Sequence, residues 1–279
     1  MNNEYYNSEN ITLYEGDCLD IFNNLPDCSV DMIFADPPYN LSNDGITCQS
    51  GRMVSVNKGY WDKTNGIELD HEFTLNWLTA CRRILNDDGT IWVSGTMHNI
   101  YSVGFALQTL GYKILNDIVW FKPNAAPNLS CRYFTHSHET LIWASKSNKS
   151  KHKFDYKLMK DITGGKQMRS LWANLDFKDE PQDTWSITTP KVAEKKHGKH
   201  PTQKPITLIE RIILASTHAG DLILDPFSGS STTGVVALRH RRHFIGIENN
   251  TDYLELSVKR INEEFSNIRE NQEPIKEAA

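Results

Sequence analysis

Short apolar runs that alternate with longer amphipathic stretches limit what this chain can fold into more than any other feature. A strand buried in a parallel sheet is a short apolar run, whereas a helix that covers the sheet is longer and amphipathic. This alternation predicts an α/β fold. The predicted strands are Thr12–Glu15, Val30–Ala35, Thr90–Ser94, Ile114–Phe121, Thr140–Ala144, Leu222–Leu224 and His243–Ile247. The predicted helices are Cys18–Asn24, Glu72–Leu85, Ile100–Leu110, Ile206–Thr217, Thr232–Arg239 and Thr251–Phe265.

The composition is that of a globular protein. Of the 279 residues 39% are hydrophobic, and 7 Trp, 10 Tyr and 11 Phe provide enough core material to exclude global disorder. No apolar run is long enough to span a membrane, and the polar N-terminus does not resemble a signal peptide, so we expect a cytoplasmic protein. The 5 cysteines lack zinc-site spacing, and the pair His136 and His138 has no further ligands at suitable spacing, so no metal is expected.

Charge is distributed unevenly along the chain. The formal net charge is -5, which by itself argues against a polyanionic partner. From Lys146 to Lys204, however, there are 14 Lys and Arg against 7 Asp and Glu, whereas residues 1–119 carry 6 against 16. A basic segment on an acidic chain is typical of a nucleic-acid site, and equally of a solvated insertion. We interpret residues 145–199 as a small insertion with its own partner, between residues 1–144 and residues 200–279.

The tetrapeptide Asp36-Pro37-Pro38-Tyr39 directly follows the apolar run Met32–Ala35. A strand of an α/β sheet delivers the next residue to its carboxyl end, where such sheets bind ligands. The two prolines lack an N–H, so the turn presents carbonyl acceptors. An acid, carbonyls and an aromatic ring together suit an amino group on a planar base. The simpler alternative is a proline turn in which Asp36 acts as a cap.

A second turn that begins with an acid, Asp225-Pro226-Phe227-Ser228-Gly229-Ser230, lies between the strand Leu222–Leu224 and a predicted helix. It resembles a nucleotide-binding turn, but it matches neither G-x-G-x-x-G nor the P-loop pattern, and no lysine follows to hold phosphate. Because an acid opens the turn, the pattern favours a ligand with a positive charge over a pyrophosphate.

Glu248 ends the strand His243–Ile247, about 20 residues after that turn. An acid at this distance hydrogen-bonds ribose hydroxyls in βαβ nucleoside sites. The alternative is a helix cap, since Glu248-Asn249-Asn250 precedes a predicted helix. Together with the Asp225 turn, Glu248 favours the ribose role.

The order of these motifs resembles the β group of DNA amino-methyltransferases. Asp-Pro-Pro-Tyr comes first, the stretch His200-Pro201-Thr202-Gln203-Lys204-Pro205 follows much later, and the Asp225 turn lies near the C-terminus. This is the circularly permuted motif order of that group, and the match extends over residues 11–266. The stretches Asn128–His136 and Gly198–Pro201 are more closely similar to the second adenine methyltransferase of DpnII-type restriction systems.

The resemblance implies a Rossmann-like methyltransferase fold with a mixed seven-stranded sheet and helices on both faces, in which residues 145–199 recognise the target. It implies S-adenosylmethionine as cofactor and DNA, double-stranded or single-stranded, as substrate. One departure is Ser231, which stands where the family usually has glycine. The catalytic residues carried over by motif are Asp36, Pro37, Pro38 and Tyr39. The cofactor-binding residues carried over are Asp17, Cys18, Asp36, Thr202, Lys204, Asp225, Phe227, Ser228, Gly229, Glu248 and Asn249.

The resemblance further implies methyl transfer to N6 of adenine, in GATC, within a restriction-modification system. Asp36 and the Pro37 carbonyl would accept the hydrogens of the target amine, and Tyr39 would stack on a base flipped out of the duplex. Transfer to N4 of cytosine is the alternative within this chemistry, although Asp at the start of the tetrapeptide favours adenine. A non-catalytic DNA-binding module and a nucleotide-dependent dehydrogenase are alternatives of other classes, which the intact motifs and the missing glycine pattern disfavour. Tyr133 and Phe134 suit either a place beside the flipped base or the core, and a homodimer is one expected assembly.

Overall fold

The computed structural model describes residues 3–40, 46–49, 52–55, 62–170 and 187–272. Within these ranges an eight-stranded sheet carries helices on both faces, and a separate two-stranded sheet lies between β3 and β6 in the chain. The strands are β1 Glu4–Asn7, β2 Ile11–Glu15, β3 Val30–Ala35, β4 Ile46–Gln49, β5 Arg52–Ser55, β6 Leu85–Gly95, β7 Lys113–Phe121, β8 His138–Ser145, β9 Leu222–Asp225 and β10 His243–Glu248. The helices are α1 Cys18–Phe22, α2 Ile67–Ile84, α3 Ile100–Thr109, α4 Tyr156–Ile162, α5 Ile206–Ser216, α6 Thr232–Arg239 and α7 Thr251–Gln272.

The large sheet is mixed, with strand order β1-β2-β10-β9-β3-β6-β8-β7. The five strands from β2 to β6 in this order are parallel, whereas β1, β8 and β7 run antiparallel to their neighbours. The parallel strands are short apolar runs because both faces of the sheet are covered. In β3, for example, Met32 and Ile33 point to opposite faces and both are fully buried.

Each face of the sheet has its own apolar core. On one face α1, α2 and α3 pack on the sheet, with Trp77 and Leu78 of α2 fully buried. On the other face α5, α6 and α7 cover the sheet, with Ile209 and Ile212 of α5 fully buried. The chain is thus a doubly wound three-layer fold. The cores hold the layers together, so the turns at the strand ends can carry functional side chains.

The strands β3 and β9 are neighbours whose connections leave in opposite directions. From β3 the chain crosses through α2 to β6 on one side, and from β9 it crosses through α6 to β10 on the other. Such a reversal leaves a crevice at the carboxyl ends of the two strands, and open α/β sheets bind their ligands there. Asp36 directly follows β3, and Asp225 is the last residue of β9.

All seven predicted strands are present, but the prediction of a seven-stranded sheet is wrong by one strand. The eighth is β1, which pairs antiparallel with β2 at the edge of the sheet. Its sequence, Glu-Tyr-Tyr-Asn, is partly exposed and has no apolar alternation, so periodicity gave no signal. No helix in the described ranges is both long and apolar enough to cross a membrane.

Candidate active site

A cavity of about 370 Å³ opens at the crevice between the carboxyl ends of β3 and β9. Pro38 of the tetrapeptide also contributes to its wall, whereas Pro37 and Tyr39 are buried next to it. His200, the first residue of the motif His200–Pro205, lines it as well, as do Phe73 and Tyr253, which the sequence did not single out. The wall contains every residue carried over as cofactor-binding: Asp17, Cys18, Asp36, Thr202, Lys204, Asp225, Phe227, Ser228, Gly229, Glu248 and Asn249.

The Asp36 carboxylate is held by two donors. One oxygen accepts a hydrogen bond from the Tyr39 hydroxyl, and the other forms an ion pair with Lys204 Nζ. Lys204 Nζ also donates to the Tyr39 hydroxyl at 3.0 Å, and it lies 3.8 Å from Glu139 Oε2. The side chains of Asp36 and Lys204 are only 12% and 6% exposed. Two residues 168 positions apart therefore meet as a buried ion pair in the cavity wall.

Burial and charge act against each other in this pair. Burial raises the pKa of Asp36, and the Lys204 ammonium partly reverses that effect. Burial alone would lower the pKa of Lys204, but the carboxylates of Asp36 and Glu139 raise it above its ordinary value. A lysine that stays protonated favours the ionised form of the carboxyl group beside it. The Lys204 ammonium and the Tyr39 hydroxyl thus favour the ionised form of Asp36, whereas burial and the charge of Glu139 oppose it.

Glu139, Ser94 and Lys122 form a second layer behind the tetrapeptide, which the sequence analysis missed. Glu139, at the start of β8, is 8% exposed, pairs with Lys122 and accepts from the Tyr39 hydroxyl at 3.3 Å. The Ser94 hydroxyl lies 3.0 Å from that of Tyr39. The one available signal was an acid directly before the apolar run Thr140–Ala144, which is unusual at the start of a buried strand.

The structure places Tyr39 inside this network. Burial, followed by the charges of Asp36 and Glu139, raises the pKa of Tyr39 well above its ordinary value, so the hydroxyl remains a donor. The Lys204 ammonium lies 5.2 Å from the centroid of the Tyr39 ring. The carbonyl of Pro38 accepts from Asn99 Nδ2 at 3.2 Å. The tetrapeptide is therefore fixed by its own side chains and by Asn99.

Asp225 anchors the turn between β9 and α6. Its carboxylate accepts from Phe227 N at 3.1 Å and from Thr233 Oγ1 at 2.6 Å. Burial raises its pKa to about 7. In the same turn Gly229 has φ +51°, and a Cβ there would lie 3.0 Å from the His200 ring, so the turn and the His200 loop pack directly against each other.

Glu248 connects the Asp225 turn with the start of α7. Its carboxylate accepts from Gly229 N and from Asn250 N, each at 2.9 Å. Burial raises its pKa. The carboxylate thus closes the turn at the start of α7 and also lines the cavity, so the capping and ligand-binding alternatives are compatible. Each oxygen has a second lone pair for a ligand hydroxyl.

Ser231 adopts the left-handed conformation, with φ 51° and ψ 45°. A Cβ is disfavoured in this conformation, which explains why the DNA amino-methyltransferases that the chain resembles usually have glycine at this position. The side chain is fully buried, and its hydroxyl has no hydrogen-bond partner among the described residues. Ser231 is thus a locally unfavourable residue directly beside the cavity turn.

The residues of the cavity fit S-adenosylmethionine. The Ser228 hydroxyl is buried in the wall and has no partner among the described residues, as expected for a group that bonds a ligand. The carboxylates of Asp225 and Glu248 suit a cation and ribose hydroxyls, and Phe73 and Ile247 offer apolar surface for a purine. Nowhere in the described ranges do three or more potential metal ligands lie together.

Comparison with known proteins agrees with this arrangement. The N6_N4_Mtase family model, described as DNA methylase, matches residues 30–259. The chain is 52% identical over 263 residues to "Type II methyltransferase M2.LlaDCHI" of Lactococcus lactis subsp. cremoris, covering 94% of this chain and 93% of that protein. It is 51% identical over 265 residues to "Type II methyltransferase M2.DpnII" of Streptococcus pneumoniae, covering 95% and 94%.

Solved structures share the fold. A crystal structure titled M1.HpyAVI-SAM complex superposes with a TM-score of 0.63 at 27% identity, covering 90% of this chain and 99% of that one. A cytosine-N4-specific PvuII DNA methyltransferase has a TM-score of 0.69 at 22% identity, covering 95% of each chain, and shows likeness of fold alone. The chain therefore belongs to the N6/N4 family of DNA methylases, whose methyl donor is S-adenosylmethionine, and it is a methyltransferase enzyme that acts on DNA.

Proposed function

We propose that this enzyme transfers a methyl group from S-adenosylmethionine to N6 of adenine, in GATC, as the modification enzyme of a type II restriction-modification system. The observation that carries the proposal is the position of Asp36. Its carboxylate, at the end of β3, lines the same cavity as Asp225 and Glu248. An acceptor for the target amine and the groups suited to the methyl donor thus share one cavity.

Asp36 and the Pro37 carbonyl act on the target amine. An exocyclic amine conjugated with its ring is a poor nucleophile, and acceptors on its two hydrogens favour a more nucleophilic nitrogen. When bound, S-adenosylmethionine supplies an electrophilic methyl group. The chain contributes positioning and electrostatic complementarity, without a covalent enzyme intermediate. The Tyr39 hydroxyl fixes the Asp36 carboxylate; because Tyr39 is buried beside the cavity and not in its wall, stacking of its ring on the flipped base stays a prediction that requires the ring to become accessible.

Lys204 and Glu139 set the charge of the acceptor. The Lys204 ammonium keeps Asp36 ionised, and Glu139 balances part of the lysine charge from the far side. Adenine is favoured over cytosine because Asp, rather than Ser, begins the tetrapeptide. GATC is favoured by the resemblance of residues 128–136 and by the relatives at about half identity. Double-stranded and single-stranded DNA both stay proposed substrates; in a duplex the target base must leave its partner to enter the cavity, a cost that a single strand does not carry.

Residues 145–199 are proposed as the target-recognition segment, flanked by the two halves 1–144 and 200–279 of one methyltransferase domain. The segment is basic and includes the exposed residues Lys191 and Lys199. Of the side chains suited to reading bases, Gln167 and Arg169 lie within the described ranges. Residues 171–186, with the candidates Asn174 and Gln182, lie outside them. A cytoplasmic location and a homodimer stay predictions.

The test is tritiated methyl transfer to a duplex that contains GATC and to one in which the site is scrambled, followed by nucleoside analysis. Label in N6-methyladenine of the GATC duplex alone is expected. Label in N4-methylcytosine would refute the atom assignment, and label in the scrambled duplex would refute the site. Asp36→Asn is expected to abolish turnover and to leave cofactor binding measurable. Asp117→Asn, an exposed acid on β7, is the matched control and is expected to retain activity.

A further inference from the structure

The connection between β7 and β8, residues 122–137, is here named the aromatic loop. We infer that this loop packs Tyr133 and Phe134 against the bases next to the target base of the bound DNA strand. The inference rests on the proposed function, since it assigns a second contact to the same DNA. Four observations carry it: the exposure of the rings, the position of the loop, its charge and its continuity with the proposed recognition segment.

The two rings have no place in either core. Phe134 is 97% exposed and Tyr133 is 70% exposed, and Leu129 in the same loop is 40% exposed. Exposed apolar side chains that occur together mark a contact surface more often than single ones do. The core interpretation of Tyr133 and Phe134 is therefore wrong, and their surface is available to a partner.

The aromatic loop lies at the edge of the sheet that carries the active site. The first residues of β8 pair with the last residues of β6, with Thr140 opposite Gly95. Because β6 is parallel to β3, this edge is the one at which Asp36 lies. Lys122, the first residue of the loop, forms an ion pair with Glu139, which accepts from the Tyr39 hydroxyl. The base of the loop is thus joined to the tetrapeptide by two successive contacts.

The charge of the loop suits a nucleic acid. Within residues 122–137 Arg132 and His136 are exposed, Lys122 is paired with Glu139, and there is no Asp or Glu. This contrasts with residues 1–119, where acids outnumber basic residues 16 to 6. Cations beside exposed aromatic rings are the combination with which proteins hold a DNA strand, the cations on phosphate and the rings on bases.

The loop is continuous with the proposed recognition segment. Ser170 O accepts from Val119 N at 3.1 Å, and Ile187 O accepts from Trp120 Nε1 at 2.7 Å, both on β7. Within the loop, Asn124 Nδ2 donates to Thr189 Oγ1 at 3.2 Å. The described ends of the segment are therefore fixed to β7 and to the loop, so one bound strand can contact both.

The turn that presents the rings is shaped by its own hydrogen bonds. Asn128 Oδ1 accepts from Ser130 N at 3.0 Å, and Asn128 Nδ2 donates to Tyr133 O at 2.6 Å. Cys131 adopts a positive φ of 52°. These bonds order the backbone that carries the two rings before DNA arrives, which reduces the entropy lost on binding.

The test uses the full-length protein with sinefungin and a GATC duplex in which 5-iodouracil replaces the thymine next to the target adenine. Irradiation joins a stacked aromatic ring to 5-iodouracil, and peptide mapping locates the adduct. An adduct on Tyr133 or Phe134 is expected. Phe134→Ala is expected to weaken binding of the unmodified duplex about tenfold, within the range for one base on one aromatic ring. Phe134→Trp is expected to restore it.

Phe105→Ala is the matched control, since Phe105 is a 63% exposed aromatic residue on α3. It is expected to bind DNA like the wild type. Adducts confined to other residues, or wild-type affinity in Phe134→Ala, would overturn the inference. A change in oligomeric state with unchanged DNA affinity would assign the loop to a second copy of the chain and overturn it as well. Binding and crosslinking need no turnover, so failure of the wild type to methylate DNA would count against the proposed function alone.

Discussion

Replacing Ser231 with glycine is predicted to stabilise the protein. Ser231 combines two unfavourable features: a left-handed backbone with φ 51° and a fully buried hydroxyl without a partner in the described ranges. Its backbone bonds, Ser231 N to Ser228 O at 2.7 Å and Val235 N to Ser231 O at 3.0 Å, do not depend on the side chain. Glycine therefore removes both costs and keeps the start of α6.

The size of the effect follows from three contributions. A Cβ in the left-handed region costs roughly 1 kcal/mol, and a buried hydroxyl without a partner costs roughly 1–3 kcal/mol. Against these, glycine gives the unfolded chain more freedom, which costs roughly 0.5–1 kcal/mol. With some loss of packing, the net gain in free energy of unfolding is about 1–2 kcal/mol, or about 2–3 °C in Tm for a chain of this size.

The assay is thermal and urea unfolding of the wild type and three variants. Ser231→Ala keeps the strained backbone and loses the hydroxyl, so its gain is expected to be smaller than that of Ser231→Gly. Arg241→Gly is the matched control, since Arg241 has φ 61° but is exposed, and its change is expected to be close to zero. A Ser231→Gly protein that unfolds at a lower temperature than the wild type would refute this reasoning.

Three further predictions concern the cavity. Glu248→Gln keeps an oxygen for Gly229 N but loses the charge, and calorimetry is expected to show S-adenosylmethionine binding weakened by about 1.5–3 kcal/mol; unchanged affinity would limit Glu248 to capping. The pKa of Asp225 is about 7, and the cofactor cation favours the ionised carboxylate. The affinity for S-adenosylmethionine is therefore expected to rise as pH rises through 7, and binding below this pH should release a proton. Asp225→Asn should flatten this pH dependence. Glu139→Gln breaks a buried ion pair and is expected to destabilise the protein by about 3–5 kcal/mol. Since Glu139 raises the pKa of Asp36, its loss should also move the acidic limb of the kcat profile to lower pH; an unmoved limb would leave Glu139 a purely structural role.

The sheet could be predicted from the sequence because its strands are short apolar runs bounded by polar turns. The same property located Asp36 and Asp225, since each follows or ends such a run, and the topology brings them to one crevice. The edge strand β1 was not predicted, because its half-exposed tyrosines and flanking polar residues show no alternation of apolar and polar positions. α4 was also missed, because it is a short helix in a segment without an apolar stripe.

The layer behind the tetrapeptide could not be predicted, because its members are far apart in the chain. Lys204 reaches Asp36 across 168 residues, and the Ser94 hydroxyl reaches the Tyr39 hydroxyl across 55. No local pattern marks such a pair as partners; only the order of the strands does. The sequence identified Lys204 by its motif, but it assigned the residue to the cofactor and not to the catalytic carboxylate.

Glu139 explains how a lysine can lie beside a carboxylate that has to receive a positively charged ligand. With Lys204 alone, the ammonium would offset the charge of Asp36, and the pair would add no net attraction for the sulfonium of the cofactor. Glu139 lies 3.8 Å from Lys204 Nζ on the side of β8 and is itself balanced by Lys122. The lysine charge is therefore shared between two carboxylates, which leaves more of the Asp36 charge for the cavity, although the charge of Glu139 also raises the pKa of Asp36. An acid at the start of a buried strand thus takes up part of the lysine charge that would otherwise offset the aspartate of the tetrapeptide.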